Sequence, residues 1–133
     1  MAAYALSRFE FRGKNVLVGL LMLGMLLPAH VTLLPNYMVL KSLNLLNSRV
    51  GLILLYVALN ISFTFFLTRG HFLGISREIE EAAMVDGCPT WQIFFRIILP
   101  MSLPVLIIAL VMNYLNVWND LVLSIIYVTK DEM

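Results

Sequence analysis

The chain has 133 residues, of which 61% are hydrophobic and 13% are charged, and its formal net charge is +1. Soluble domains average about 45–50% apolar and about 25% charged residues, so this composition excludes an ordinary soluble domain and indicates a membrane protein. The small net charge gives no indication of a nucleic-acid partner, and the single cysteine, Cys88, excludes a disulfide framework and a cysteine-ligated metal site.

Three intervals without charged residues are long enough to cross a bilayer as helices: residues 15–40, 50–68 and 97–119. A helix needs about 20 mostly apolar residues to span the hydrocarbon. In the first interval, Pro28 and His30 indicate a bend or an early end near Pro35. We therefore predict an all-α membrane protein with about three transmembrane helices, at roughly residues 16–35, 50–68 and 100–118.

Lysine and arginine residues are distributed unequally between the two sides of these spans. Under the positive-inside rule, the side with more of them is cytoplasmic. The rule predicts a cytoplasmic N-terminus and an external C-terminus for this sequence. The richer side has Arg8, Arg12, Lys14, Arg69, Arg77 and Arg96, and the other side has Lys41, Arg49 and Lys130.

A short interfacial helix is predicted between the first two spans, in residues 36–49. There, Met38, Val39, Leu43 and Leu46 recur at helical spacing. No internal repeat, low-complexity tract or linker divides the sequence, so residues 1–133 form one domain or part of one.

The segment between the second and third spans, residues 69–99, has the signals of a helix, a turn and a second helix. Ser76 is a good N-cap and is followed by acidic residues in the first turn. Gly87 can adopt the left-handed conformation that ends a helix, and Pro89 suits the first turn of the next one. Because this segment lies on the side richer in lysine and arginine, we predict a cytoplasmic helix-turn-helix.

The second of these helices is predicted to be amphipathic. Trp91, Phe94, Phe95 and Ile98 are spaced i, i+3, i+4 and i+7, which places them on one helical face. Such a helix should lie along the membrane surface or against the bundle.

Two interpretations of the first helix are open from the residues alone. Ala82 and Ala83 allow close backbone approach, and the nearby acids can pair with basic groups of a partner, which favours a docking element. Alternatively, the helix is solvated and its acids only balance Arg69, Arg77 and Arg96.

The spacing of residues in this segment resembles a known signature: Glu-Ala-Ala, three residues, Gly, nine residues, Ile, one residue, Leu-Pro. An aspartate before the glycine also agrees with its commoner form. The pattern resembles the cytoplasmic EAA loop of permease subunits in bacterial binding-protein-dependent ABC importers, and residues 69–99 are called the EAA loop below. The matching positions are Glu81, Ala82, Ala83, Asp86, Gly87, Ile97, Leu99 and Pro100.

Three further stretches resemble the carbohydrate-importer branch of that family. Residues 2–15 are similar to its cytoplasmic segment before a span, residues 33–48 to an external segment, and residues 118–120 to a Trp-Asn-Asp element. The resemblance covers nearly the whole chain and implies part of a six-span type-1 ABC permease fold in the bacterial inner membrane. With about three spans, the chain is expected to be a fragment of such a permease.

The resemblance also implies a set of partners and a mechanism. A permease of this type pairs with a second permease and receives solute from an external solute-binding protein. Each permease inserts its EAA loop into a cleft of a cytoplasmic ATPase subunit. ATP-driven closure of the ATPases rocks the spans between inward-facing and outward-facing states.

Residue roles in the EAA loop are carried over from the same resemblance. Glu81 would pair with a basic group of the ATPase, and Asp86 would brace the turn. The alanine pair at 82–83 and Gly87 would permit a tight fit. Ile97 belongs to the same signature, and residues 99–100 would lead rigidly into the next span.

Polar side chains inside the third predicted span indicate a possible solute pathway. Asn113, Asn116 and Asp120 recur at i, i+3 and i+7 and form one stripe, and Trp118 offers an aromatic surface suited to a sugar. The alternative is that these side chains bond to neighbouring helices, a contribution of about 0.6 kcal/mol each.

We therefore predict a permease subunit of an ATP-driven importer, for sugars. The alternatives are a permease for another small solute, such as a polyol phosphate or an amino acid, and a membrane adaptor or truncated remnant that does not transport. A membrane enzyme is disfavoured because the sequence has no apparent catalytic dyad, metal site or phosphate-binding glycine loop. No cofactor or metal is expected, and ATP hydrolysis would belong to separate subunits.

Overall fold

The computed structural model describes residues 1–28 and 31–127, and within these two ranges every regular element is a helix. The predicted all-α class is confirmed. Two residues used in the predictions, His30 and Lys130, lie outside the described ranges. The helices are α1 (Ala2–Arg8), α2 (Lys14–Leu26), α3 (Leu33–Ser42), α4 (Arg49–Gly74), α5 (Arg77–Val85), α6 (Thr90–Met101), α7 (Leu103–Trp118) and α8 (Leu121–Tyr127).

Helix α4 is the element on which the others pack. Its 26 residues correspond to a length of about 39 Å. In the described part of the chain, α4 is the one unbroken helix that is long and apolar enough to cross a membrane. The predicted span at residues 50–68 lies inside it, and the helix continues past Arg69 to Gly74. Helices α1, α2 and α7 each contact it.

The first predicted span, residues 16–35, is broken into two helices. Helix α2 ends at Leu26 and α3 begins at Leu33, because Pro28 disfavours helical backbone at the residue before it. The predicted early end is confirmed at Leu26, whereas the expectation of one helix reaching about Pro35 is wrong. Pro35 lies in the first turn of α3, where its missing N–H is tolerated. The predicted short helix overlaps α3, which starts before residue 36 and ends at Ser42, so Leu43 and Leu46 lie beyond it.

The short α2 differs from a simple transmembrane helix in length. It has 13 residues and is about 20 Å long, whereas the hydrocarbon core of a bilayer is about 30 Å thick. Helix α2 is apolar but does not cross that thickness alone.

The third predicted span, residues 100–118, is bent by 65° between α6 and α7. Pro104 lacks an N–H, and its ring crowds the carbonyl of Pro100 four residues earlier. Ser102 lies at the bend and is fully buried; its N–H and its hydroxyl both donate to the Ile98 carbonyl, at 3.0 and 2.7 Å. The continuous helix of this predicted span therefore begins at Leu103, and Pro100 lies before the bend.

Two apolar clusters lie towards opposite ends of α4. The first brings together α1, α2, α5 and α6 around Phe65 and Phe72. The second joins α3 and α8 around Leu55, and there the Tyr127 hydroxyl donates to the Leu33 carbonyl at 2.7 Å. The N-terminal helix and the EAA loop therefore share one end of α4.

Helices α2 and α4 approach each other closely at Gly24 and Ser62. A Cβ atom built on Gly24 would overlap the Ser62 hydroxyl, and Ser62 is buried. Small residues at a crossing point let two helix backbones approach where larger side chains would separate them.

We expect Gly24→Val to destabilise the packing of α2 on α4 by about 1–3 kcal/mol, because the added methyl groups have no space at the crossing. Gly19→Val is the matched control in the same helix, since a Cβ at Gly19 meets nothing within 4 Å. Thermal unfolding of the purified chain in detergent measures both effects. Equal loss of stability in the two variants would show that the Gly24–Ser62 contact is not the cause.

Candidate functional site

The EAA loop begins with the predicted N-cap. Ser76 has extended backbone angles, and its hydroxyl accepts a hydrogen bond from the Glu78 N–H at 3.3 Å. Glu78 and Glu80 occupy the first turn of α5, where their charge interacts favourably with the positive end of the helix dipole. The predicted start of the first loop helix is confirmed.

Helix α5 ends at a glycine turn, as the sequence predicts. Gly87 has a φ of +80°. Its N–H donates to the Met84 carbonyl, and the Cys88 N–H donates to the Ala83 carbonyl, both at 3.0 Å. This pair of bonds is the Schellman motif, in which glycine is favoured because a Cβ is strained in the left-handed conformation. A Cβ on Gly87 would meet no atom within 4 Å, so this side of the turn is open.

The second loop helix follows Pro89 but has a different register from the predicted one. Residues 93–98 form a π-helix, in which the Leu99 N–H donates to the Phe94 carbonyl five residues back. A π turn contains more residues than an α turn, so Ile93, Phe94 and Ile98 are buried together. The predicted apolar face is wrong, because Trp91 and Phe95 are exposed.

The residues that match the EAA signature divide between two faces of the loop. Ala83 is buried in the first apolar cluster, and Ile97 and Leu99 pack against it partly buried. The other signature residues are exposed: Glu81, Ala82, Asp86, Gly87 and Pro100. One part of the signature thus contacts the protein's own core, and the rest forms an open surface.

Glu80 is the buried acid of the EAA loop, and its partners come from the N-terminal helix. The Arg8 Nε lies 2.7 Å from Glu80 Oε1, and the Tyr4 hydroxyl donates to Glu80 Oε2 at 3.1 Å. The Arg8 Nη2 also donates to the Ile75 carbonyl at 2.8 Å. Burial, together with the negative charge of Glu80, raises the pKa of Tyr4 to about 12, so the phenol remains a hydrogen-bond donor at neutral pH.

Residue spacing along the chain does not predict this network. The two open interpretations gave the loop acids either basic groups of a partner protein or Arg69, Arg77 and Arg96 of this chain, whereas Glu80 pairs with Arg8. The available signal was the spacing of Tyr4 and Arg8, which lie one helical turn apart at i and i+4 and project on the same side. Nothing in the spacing of α1 and α5 along the chain indicates that they pack together.

A groove of about 560 Å³ lies between α4 and α7, bordered by α1, α2 and α6. Its walls are mainly apolar, and its polar side chains lie mostly on one face of α4. The Asn113 Nδ2 of α7 donates to the Thr64 Oγ1 of α4 at 2.8 Å. The Asn113 Oδ1 is buried and has no hydrogen-bond partner among the described residues. The polar lining residues are Tyr56, Asn60, Thr64, Thr68 and Asn113.

The other residues of the predicted pathway lie outside this groove. Asn116 and Trp118 are exposed and do not line it, and Trp118 stacks on Tyr114 with ring centroids 5.7 Å apart. Helix α7 ends at Trp118, so Asp120 does not continue its polar stripe. Instead, the Asp120 Oδ1 accepts a hydrogen bond from the Leu123 N–H at 3.0 Å, at the start of α8.

Within residues 1–28 and 31–127, no group of three or more His, Cys, Asp and Glu side chains is arranged to hold a metal ion.

Comparison with known proteins identifies relatives across the whole chain. The probable ABC transporter permease protein YurM of Bacillus subtilis is 44% identical over 132 residues, which cover 99% of this chain and 44% of that protein. The diacetylchitobiose uptake system permease protein NgcG of Streptomyces coelicolor is 36% identical, covering 94% of this chain and 41% of that protein. The arabinooligosaccharides transport system permease protein AraQ of Bacillus subtilis is 32% identical, covering 100% of this chain and 47% of that protein.

The fold is also similar to a solved structure. A chain in the crystal structure of a bacterial ABC transporter involved in the import of the acidic polysaccharide alginate superposes with a TM-score of 0.76, at 30% identity, covering 89% of this chain and 41% of that chain. The present chain spans less than half the length of each of these proteins. Residues 1–130 match the family described as binding-protein-dependent transport system inner membrane component, and the chain belongs to that family.

Proposed function

We propose that the chain forms part of a permease subunit of an ATP-driven sugar importer and couples ATPase closure to solute movement through its EAA loop. Family membership and the sugar-specific names of two relatives support the general assignment. The observation that carries the coupling role is the open surface formed by Glu81, Ala82 and the turn at Gly87.

The geometry of α5 suits docking into a cleft. Its inner face is fixed by Ala83 in the core, while Glu81 and Ala82 remain exposed on the outer side. A small residue at Ala82 and the open side of Gly87 allow another protein's backbone to approach closely. Glu81 then provides a charge that an arginine or lysine of the ATPase can pair with.

The proposed assembly follows from the family. A second permease subunit, two cytoplasmic ATPase subunits and an external solute-binding protein complete the importer. In the proposed orientation the N-terminus and the EAA loop face the cytoplasm, consistent with their location at one end of α4 and with the excess of arginine and lysine there.

The groove between α4 and α7 is the proposed contribution to the solute pathway. Hydroxyl and amide groups of Asn60, Thr64 and Asn113 line it, and such groups can both donate to and accept from sugar hydroxyls. The Asn113 Oδ1 has no hydrogen-bond partner among the described residues, but because it is buried, a solute can reach it only if α4 and α7 move apart. Asn116, Trp118 and Asp120 remain proposed as peripheral contacts only, because they lie outside the groove.

We expect Glu81→Lys to abolish capture of the importer's ATPase subunit from detergent solution, because the charge reversal removes the proposed ion pair. Glu78→Lys is the matched control, since Glu78 is also an exposed acid of α5. A pull-down with purified ATPase measures both variants. If both variants lose capture equally, the total negative charge of α5 is responsible rather than Glu81 in particular. If neither variant loses capture, the proposed role of Glu81 fails.

We expect Gly87→Leu to prevent ATPase capture while leaving membrane insertion intact, through strain of roughly 1–2 kcal/mol in the left-handed turn and loss of clearance at the docking surface. Gly87→Asn separates these causes, because asparagine tolerates the left-handed conformation but still adds a side chain.

The control for strain alone is Gly13→Leu. Gly13 also has a positive φ, of +91°, and a Cβ there meets nothing within 4 Å. Capture should survive Gly13→Leu and fail in both Gly87 variants. Normal capture by Gly87→Leu would remove the case for this turn as a docking element.

We expect Asn113→Leu to reduce sugar-dependent stimulation of ATP hydrolysis at least about tenfold, the effect of losing roughly 1.4 kcal/mol of binding, while basal hydrolysis is unchanged. Asn116→Leu, the same change one turn away and outside the groove, should retain most of the stimulation, because a peripheral contact contributes less than one inside the groove. The assay uses the assembled importer with a panel of oligosaccharides that includes diacetylchitobiose and arabinooligosaccharides. If Asn113→Leu lowers only thermal stability, Asn113 serves helix packing alone.

A further inference from the structure

One acid of the EAA loop has a different environment from its neighbours. Glu78 and Glu81 are exposed, whereas Glu80 is 7% exposed. Its two carboxylate oxygens are engaged by Arg8 and by Tyr4, and Tyr4 is 76 residues away in sequence. A buried carboxylate requires such partners because an unpaired charge is strongly disfavoured away from water.

Arg8 connects the two helices that meet at the start of the EAA loop. Its Nε contacts Glu80 on α5, and its Nη2 donates to the carbonyl of Ile75. Ile75 is the C-cap residue that directly follows α4. The Nη2 contact is a hydrogen bond, whereas the contact of Nε with Glu80 Oε1 is an ion pair without hydrogen-bond geometry. A guanidinium group has several donors in a fixed plane and can contact two acceptors at once, which an ammonium group does less well. The side chain therefore spans the junction between α4 and α5.

Tyr4 adds a second connection from the same face of α1. While its hydroxyl bonds to Glu80, its ring packs against Phe72 of α4 and Phe94 of α6, with centroids 5.6 and 4.8 Å apart. Helix α1 thus contacts the end of α4 and both helices of the EAA loop. These contacts surround the junction at which α5 follows α4.

We propose that Arg8 and Tyr4 are positioning residues for the EAA loop: through the buried carboxylate of Glu80 they hold α5 at the angle that presents Glu81 for docking. Glu80 would then act inside the permease and Glu81 outside it, although the two acids are adjacent. The proposal extends the proposed function, because its consequence for transport requires that the loop docks on an ATPase.

A probe of loop position is available in the protein itself. Cys88 is the one cysteine of the sequence, it directly follows Gly87, and it packs partly buried against the first apolar cluster. The rate at which N-ethylmaleimide alkylates Cys88, measured on the full chain in lipid nanodiscs, therefore reports how often the loop leaves its position.

We expect alkylation of Cys88 to be roughly tenfold faster in Arg8→Gln and in Glu80→Gln, because each change leaves the other group buried without its partner. The double variant should be no faster than either single one, since contacting partners are not additive. Glu78→Gln is the matched control: it neutralises an exposed acid on the same helix as Glu80, and it should not change the rate. Arg8→Lys keeps the positive charge but loses the planar guanidinium group with its several donors, and it should give an intermediate rate.

Docking affinity for the ATPase subunit is the second measurement, and global thermal unfolding is the third. The proposal is supported if docking weakens in Arg8→Gln as the alkylation rate rises, while the unfolding midpoint shifts no more than in the Gly24→Val variant. It is overturned if alkylation is unchanged, or if alkylation accelerates and docking is normal. If wild-type chain does not dock but the alkylation pattern holds, positioning by α1 stands and the docking function fails.

Discussion

The carboxylate of Glu80 is buried beside a guanidinium group, and the arrangement of the EAA loop depends on this pair. Because a buried charge without a partner is unstable, α5 can take its observed position only if α1 brings Arg8 to it. That requirement ties the first helix of the chain to a loop more than sixty residues later. It also holds α1, the end of α4 and both loop helices together, with Tyr4 supplying the apolar contacts among them.

The EAA signature combines two physical demands in one short segment. Residues such as Ala83 and Leu99 meet the demand for packing, since they contact the protein's own apolar cluster. Glu81 and Gly87 are placed on the open side, where packing within the chain does not explain them. The glycine of the Schellman turn meets both demands. It allows the backbone hydrogen bonds that end α5, and it leaves the outer surface free of a side chain.

Departures from regular α-helix place the groove next to the EAA loop. The π-helical residues 93–98 turn Phe94 inward, and Pro104 bends the chain by 65° at Ser102. After that bend, α7 runs beside α4, and Asn113 meets Thr64. Phe94 and Leu99, on the helix that follows the glycine turn, line the same groove as Asn113. The second loop helix is therefore in direct contact with the cavity proposed for solute.

Residue patterns alone predicted the helical class, the span within α4, the capped and glycine-ended form of α5, and the family resemblance. These features depend on local composition, on short-range spacing and on backbone preferences at single residues such as Ser76 and Gly87. The packed fold alone revealed the 65° bend at Ser102, the inward register of residues 93–98, and the roles of Glu80 and Asp120. Each of these depends on a contact that residue spacing does not reveal. The bend depends on a proline clash, and the register of residues 93–98 depends on a backbone hydrogen bond to the carbonyl five residues back. Glu80 depends on an ion pair between distant segments, and Asp120 on a helix cap. Local patterns identified the segments, and the packing around α4 decided which of their side chains face inward.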